Sequence, residues 1–219
     1  KPEVAGSYPV KTAFDITPKK WYNRDMENER NNKVNSMDNL SDLDMERMIM
    51  AGSTDMVVFD LDGTLADIEP YLHFLVEHPD SPRDWYGFHQ SVYGATPKAD
   101  VLAMYSLYAM RDIEVVILTS RQRDWEDVSS DWLWKWGVDY DRLIMRGMKD
   151  KRSAPEYKRE ELMNLMSEGF NIVHVFDDHP GVIKVCEGLG LPNTKVPGYE
   201  EASAMMEDLA KSEKWKVSA

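Results

Sequence analysis

The chain has a single cysteine, Cys186, among 219 residues, so an intramolecular disulfide is excluded. The five histidines show no spacing with it that suits a zinc site, and Cys186 is expected to be a small buried apolar residue. Long apolar runs are also missing. None approaches the roughly 18 residues of a membrane span, and the N-terminus lacks the basic and then apolar layout of a signal peptide. A cytoplasmic protein with no membrane partner is the expectation. Positive charge is scarce as well: 26 basic residues stand against 39 acidic ones, a net charge of −13. Such a surface repels a nucleic-acid backbone at long range, so non-specific duplex binding is disfavoured. Finally, no GxxxxGK[ST] segment occurs, which removes the nucleotide-binding loop of that type.

Hydrophobic residues make up 42% and charged residues 30%, the proportions of an ordinary globular chain long enough for one core plus an extension. Residues 1–54 are rich in Asn, Asp, Glu, Lys and Met, with one short amphipathic stretch from Leu40 to Met50. They read as an N-terminal extension, helical in part. The chain begins at Lys1 and not at methionine, as a processed product or a piece of a longer chain would.

From Asp55 the pattern changes to short apolar runs followed by polar turns and helical periodicity. The runs are Met56 to Phe59, Ile113 to Leu118, Leu143 to Met145, Ile172 to Phe176 and, weakly, Thr194 to Val196. Strands of this kind alternating with helices predict an α/β fold, a three-layer Rossmann-like parallel sheet covered on both faces. One domain over 55–212 is expected, with a small helical cap insert over about 66–112 after the first strand and a tail at 213–219. The aromatics of that insert, Tyr71, Phe74, Trp85, Tyr86, Phe88 and Tyr93, are expected for the most part to pack the cover onto the sheet. Trp125, Val128, Trp132 and Trp136 fall on one helical face, which Gly137 would end.

Ligands of such sheets bind at the carboxyl ends of the strands. Read in order, those positions carry Asp60 and Asp62, then Thr119, Ser120 and Arg121, then Asp177 and Asp178. In Asp60-Leu61-Asp62-Gly63-Thr64 the glycine permits a tight turn, so both acids can face one pocket. One carboxylate can attack phosphorus while a second protonates the leaving oxygen and later activates water. An anionic nucleophile meeting a phosphate dianion needs positive charge beside it, and Asp177 and Asp178 offer the hard oxygen ligands that magnesium prefers. Either pair alone would read equally well as a turn or a polar strand end. Their joint occurrence favours chemistry.

These segments, with the Thr119-Ser120 hydroxyl pair and a later lysine, resemble the four motifs of the haloacid dehalogenase (HAD) superfamily over about Asp55 to Tyr199. The resemblance implies an aspartate-based phosphatase. Asp60 would be the nucleophile and Asp62 the general acid and base. Thr119, Ser120 and Lys158 would hold the phosphoryl group, and Mg2+ would sit among Asp60, Asp62, Asp177 and Asp178. Lys158 is preferred to Lys149 or Lys151 because Ser153 and Glu156 look like a capping box with Pro155 in the first turn. Leu162 and Leu165 then share a buried face with Lys158.

A closer resemblance is to the 3′-phosphatase half of phage-type polynucleotide kinase-phosphatases, where an arginine follows the second motif and a basic loop precedes the third. Here these are Arg121 and the segment Arg142 to Arg159, which carries seven basic residues against Asp150 and Glu156. The alternative for that segment is plain solvated charge. Arg121, Arg146 and Arg152 are the candidate substrate clamps, since a guanidinium can hold one phosphate through two bonds. The pattern departs at Ala154, where an acid is expected, and at His179, where arginine is common. Without a nucleotide-binding loop the chain matches at most the phosphatase half. The implied partner is a phosphorylated nucleic-acid end or, in the competing reading, a mononucleotide handled by a nucleotidase. A binding module with a relic pocket is a third class, which the complete set of acids disfavours. Oligomeric state leaves no mark in the sequence.

Overall fold

The structure is a computed structural model that describes residues 55–76, 83–111 and 113–211. The N-terminal extension, with its amphipathic stretch at Leu40 to Met50, and the tail at 213–219 lie outside the described residues.

Five strands form one parallel sheet: β1 (Asp55–Phe59), β2 (Glu114–Gln122), β3 (Arg142–Arg146), β4 (Asn171–Asp177) and β5 (Asn193–Lys195). Their spatial order is β3-β2-β1-β4-β5, so the chain starts in the middle and winds outward in both directions. All five apolar runs became strands.

The near-continuous apolar character of the central strands follows from burial on both faces. In β1, Val57 and Phe59 point to one core and Met56 and Val58 to the other, as a period of two requires. The first core is closed by α2 (Ala99–Ala109) and α3 (Glu126–Lys135), through Tyr105, Trp132 and Leu133. The second is closed by α4 (Ala154–Ser167) and α5 (Pro180–Gly188), through Tyr157, Leu162, Val182 and Cys186. Cys186 is buried among these apolar groups, as expected.

The expected cap region divides in two. Its first part holds a 3-10 helix (Glu69–Leu75) and the short α1 (Trp85–Ser91). Its last part, α2, is a crossover helix packed on the sheet, with the Tyr105 and Phe59 rings 6.1 Å apart. Of the cap aromatics Phe88 is buried, but Trp85 and Tyr86 are 51% and 69% exposed, and Tyr93 is exposed too. Tyr71 and Phe74 also pack against the first core, so three of the six aromatics turn inward as expected and three do not; for Trp85 and Tyr86 the reason is that α1 spans only seven residues and turns one narrow face to the core.

The tryptophan stripe of α3 is core at Trp132 and packs against core at Trp136. Gly137 follows with φ +69, the left-handed conformation that glycine adopts freely at a helix end. Among the described residues, no helix is long and apolar enough to cross a membrane.

Candidate active site

The chain leaves β1 at Phe59, and Asp60 anchors the exit by donating its backbone N–H to the Phe176 carbonyl of β4 at 3.0 Å. A tight turn follows, closed by Ala66 N to Leu61 O at 2.8 Å and Gly63 N to Ala66 O at 3.0 Å. Gly63 has φ +81, and a Cβ there would lie 2.2 Å from Oδ2 of Asp178. Glycine is thus required twice, for the backbone and for the approach of Asp178.

β2 runs past its expected end to Gln122, and its pairing with β3 slips between Thr119 and Gln122. Such a bulge frees residues from the ladder and re-aims them. Ser120 joins the pocket beside Thr119, and its Oγ is buried with no hydrogen-bond partner. A buried hydroxyl without a partner is costly, and an anionic ligand would relieve it.

α4 opens with the expected capping box: the Ser153 side chain accepts from Glu156 N, while the Glu156 carboxylate accepts from Ser153 N at 2.8 Å. This places Lys158 on the buried side with Leu162 and Leu165, only 3% exposed. Its Nζ lies 2.7 Å from Oδ1 of Asp60 and 2.7 Å from Oδ2 of Asp177.

Asp60, Asp177 and Asp178 form a buried group in which one carboxylate oxygen from each lies within 4.8 Å of the other two. Burial first, and then the charges of Asp177 and Asp178, raise the Asp60 pKa well above the usual carboxylate range, with Lys158 opposing. Burial and Asp177 likewise push Asp178 up to about 7, against the pull of Lys158 and Lys98. Burial disfavours the Lys158 charge, yet Asp177 and Asp60 outweigh it and its pKa is raised. Three buried carboxylates facing one ammonium hold an excess of negative charge. An all-oxygen group of this kind fits a hard divalent cation.

Asp62 stands apart from that group. Arg121 grips it through Nε at 2.8 Å and Nη2 at 2.7 Å. Burial raises the pKa of Asp62, but the Arg121 charge and its hydrogen bonds prevail and the net shift is downward.

A pocket of about 200 Å³ collects Asp60, Asp62, Thr119, Ser120, Lys158 and Asp178. The structure thus brings together the expected nucleophile, acid, hydroxyl pair and lysine, with Asp178 in the lining and Asp177 reached through Lys158. Asp62, expected among the metal ligands as well, lies outside the group of three carboxylates because its side chain is turned to Arg121. The arginines are not among the lining residues. Arg121 is turned to Asp62. Arg146 donates to the Arg152 carbonyl at 2.5 Å and lies over the Tyr157 ring. Arg152 is held by Asp150 and Glu160.

Sequence reasoning missed Ser129, which accepts from Arg121 Nη1 at 3.0 Å and donates to the Trp125 carbonyl at 2.7 Å. A serine between Val128 and Trp132 on a buried helical face was the available signal. It also missed His89, buried close to Asp62 with Nδ1 unpaired, whose imidazole burial pushes down to about 4. Lys98, which donates to the Pro197 carbonyl at 2.6 Å, is a third.

A parallel sheet with these carboxylates at its strand ends defines a phosphatase of the HAD class. More narrowly, residues 54–198 match the family described as the polynucleotide kinase PNKP phosphatase domain, and the chain belongs to that family. No curated protein matches the sequence. Among solved structures, a chain of the Pnkp1/Rnl/Hen1 complex is similar with a TM-score of 0.56 and 23% identity over 66% of this chain and 45% of that one. A chain from the Pnkp1/Rnl/Hen1 RNA repair complex gives 0.55 and 21%, over 66% and 42%. The class C acid phosphatase from Bacillus anthracis with tungstate bound gives 0.51 and 13%, over 77% and 84%. These likenesses establish the fold. The chain spans less than half the length of the Pnkp1-complex chains it matches.

Proposed function

We propose that the chain is a Mg2+-dependent phosphomonoesterase that removes 3′-phosphates from polynucleotide ends through an aspartyl-phosphate intermediate. The observation that carries the chemistry is Lys158 bridging Asp60 and Asp177 at 2.7 Å each inside a buried group of three carboxylates. The family match supports the choice of substrate.

A carboxylate oxygen of Asp60 attacks phosphorus, the P–O ester bond breaks, and the departing alkoxide takes a proton from Asp62. Asp62, now ionised, takes a proton from water as its oxygen attacks the acyl phosphate. The P–O bond to Asp60 breaks, inorganic phosphate leaves, and the Asp60 carboxylate is restored. Lys158 keeps Asp60 oriented and supplies positive charge, while the Ser120 and Thr119 hydroxyls are available to the phosphoryl oxygens. Asp60, Asp177 and Asp178 would hold Mg2+. That ion supplies the charge that offsets repulsion between Asp60 and the phosphate dianion.

The competing reading is a mononucleotide phosphatase. It is favoured by Arg146 and Arg152, which are committed to neighbours and not turned outward as clamps. Phosphate release with Mg2+ from a 3′-phosphorylated oligonucleotide, set against free 3′- and 5′-mononucleotides with Asp60→Asn as blank, separates the two. Preference for the oligonucleotide supports end healing, and preference for mononucleotides makes this a nucleotidase.

A further inference from the structure

In a chain where charged residues make up 30%, the helix α2 carries a single one, Asp100. One side of the helix packs on the sheet: Val101 and Tyr105 are buried, and Leu102 and Tyr108 lie against the same core. A crossover helix ordinarily turns polar and charged residues outward on its other side. α3 does so with Glu126, Asp127, Asp131 and Lys135, and α4 with Arg159, Glu160 and Asn164, so that the exposed Trp134 on the one and Met163 and Met166 on the other stand among charges.

The outer side of α2 instead shows Ala103, Met104, Leu107 and Met110, with Leu107 50% and Met110 74% exposed. Residues three and four apart are neighbours on a helix, so these side chains form one contiguous apolar patch. Ser106 does not interrupt it, because its hydroxyl donates to the Leu102 carbonyl at 2.9 Å and is satisfied within the helix. Single exposed apolar residues are ordinary, whereas a contiguous patch marks a contact surface.

The charges at the two ends say what fits there. Asp100 stands four residues before Met104, and Arg111 stands four residues after Leu107. Met110 keeps a helical backbone with φ −78 and ψ −5, so Arg111 continues the line of Asp100, Met104 and Leu107 along one face. Among the described residues neither end charge forms an ion pair: the Asp100 carboxylate accepts from Val101 N at 2.9 Å, and Arg111 lies over the Tyr108 ring. The face is therefore complementary to itself when reversed. Laid antiparallel on a second copy, Met104 meets the partner's Leu107, and Asp100 meets the partner's Arg111. A parallel pair would set like charges opposite each other. An anionic membrane surface fits poorly, since Arg111 is the lone basic residue of the face and the chain carries −13.

We propose that α2 is a self-association surface, through which two copies of the chain pair antiparallel about a two-fold axis passing between Tyr105 and Ser106. The inference is independent of the phosphatase reading. One helix pair is a small interface, so the dimer is weak, with a Kd in the micromolar range. The net charge of −13 opposes it at low ionic strength, and salt at about 0.15 M screens that repulsion beyond roughly 8 Å.

Sedimentation of the full chain over a concentration series in such salt should show the mass rising from 25.3 kDa toward twice that value. Leu107→Asp puts a charge at the centre of the patch and should raise Kd by about thirtyfold or more. Its Tm, read where the wild type is monomeric, should stay near the wild-type value, which separates lost association from lost folding. Asp100→Arg and Arg111→Asp should each raise Kd by about fivefold, and the two together should bring it back toward wild type. A wild type that stays monomeric throughout, a dimer that survives Leu107→Asp, or charge reversals whose effects add and do not cancel would each overturn the proposal.

Discussion

Arg121 and Asp62 face each other as a fork, Nε on Oδ2 at 2.8 Å and Nη2 on Oδ1 at 2.7 Å, with the guanidinium almost wholly buried. The third outward nitrogen, Nη1, is spent on Ser129. A guanidinium so engaged orients a carboxylate and has little left for a substrate phosphate. Arg121 is thus better suited to positioning Asp62 than to clamping substrate.

Arg121→Lys should consequently lower kcat by about a hundredfold with KM little changed, because a lysine keeps the charge and loses the fork. Steady-state kinetics on a 3′-phosphorylated oligonucleotide decide it. A raised KM at constant kcat would make Arg121 a substrate clamp after all.

The same fork makes Asp62 prefer its ionised form, which suits the water-activating half of the reaction better than the protonating half. Substrates differ in how much they need the proton. An aryl phosphate leaves unaided, whereas a sugar hydroxyl does not. Asp62→Asn should therefore cost an alkyl phosphate about tenfold more in the phosphoryl-transfer step than p-nitrophenyl phosphate, read as the burst of aryl alcohol against single-turnover release of the alcohol. Equal losses on both would deny Asp62 the role of acid.

Most of this site was visible in the sequence because its residues sit at strand ends, and strand ends are marked by where apolar runs stop. Asp60, Asp177 and Asp178 needed nothing more, and Lys158 followed from the capping box and the spacing to Leu162 and Leu165. What stayed hidden depends on tertiary contact. Nothing local distinguishes an arginine that binds substrate from one that binds Asp62, and the bulge that aims Ser120 and Arg121 exists only against β3.

The crowding of carboxylates sets a pH dependence that metal should reverse. Asp178 is raised to about 7, and Asp60 is raised as well, so without metal the folded protein binds protons more tightly than the unfolded chain. Stability is then fullest below the ordinary carboxylate pKa and is lost as pH rises through about 7, by an amount on the order of a few kcal/mol. His89, His174 and His179, all lowered by burial, add stability in the opposite sense as pH rises past 5, so the carboxylate share is read as the difference between wild type and Asp178→Asn. In chelator the wild type should lose Tm relative to that variant between pH 5 and pH 8, and Mg2+ should raise the wild-type Tm more at pH 8 than at pH 5. A difference that does not change with pH, or a Mg2+ effect independent of pH, would contradict the assignment of the acidic group to a cation.

The capping box offers a test of how Lys158 is held. Ser153 Oγ accepts from Glu156 N, and the Glu156 carboxylate returns the contact to Ser153 N, so the first turn of α4 is fixed from both sides. Lys158 leaves the helix one turn later, and its ammonium must bridge Asp60 and Asp177. Ser153→Ala removes the side-chain acceptor and should cost about 1 kcal/mol, while Ser153→Thr, which can still accept from Glu156 N and donate to the Glu156 carboxylate as Ser153 Oγ does at 2.7 Å, should cost little. If the cap also sets the reach of Lys158, the alanine variant will lose kcat beyond what its folded fraction explains at a temperature well below Tm, and the threonine variant will not. Denaturant melts give the first quantity and turnover at low temperature the second. A stability loss with full kcat would mean that Asp60 and Asp177 hold the lysine without help from the helix start.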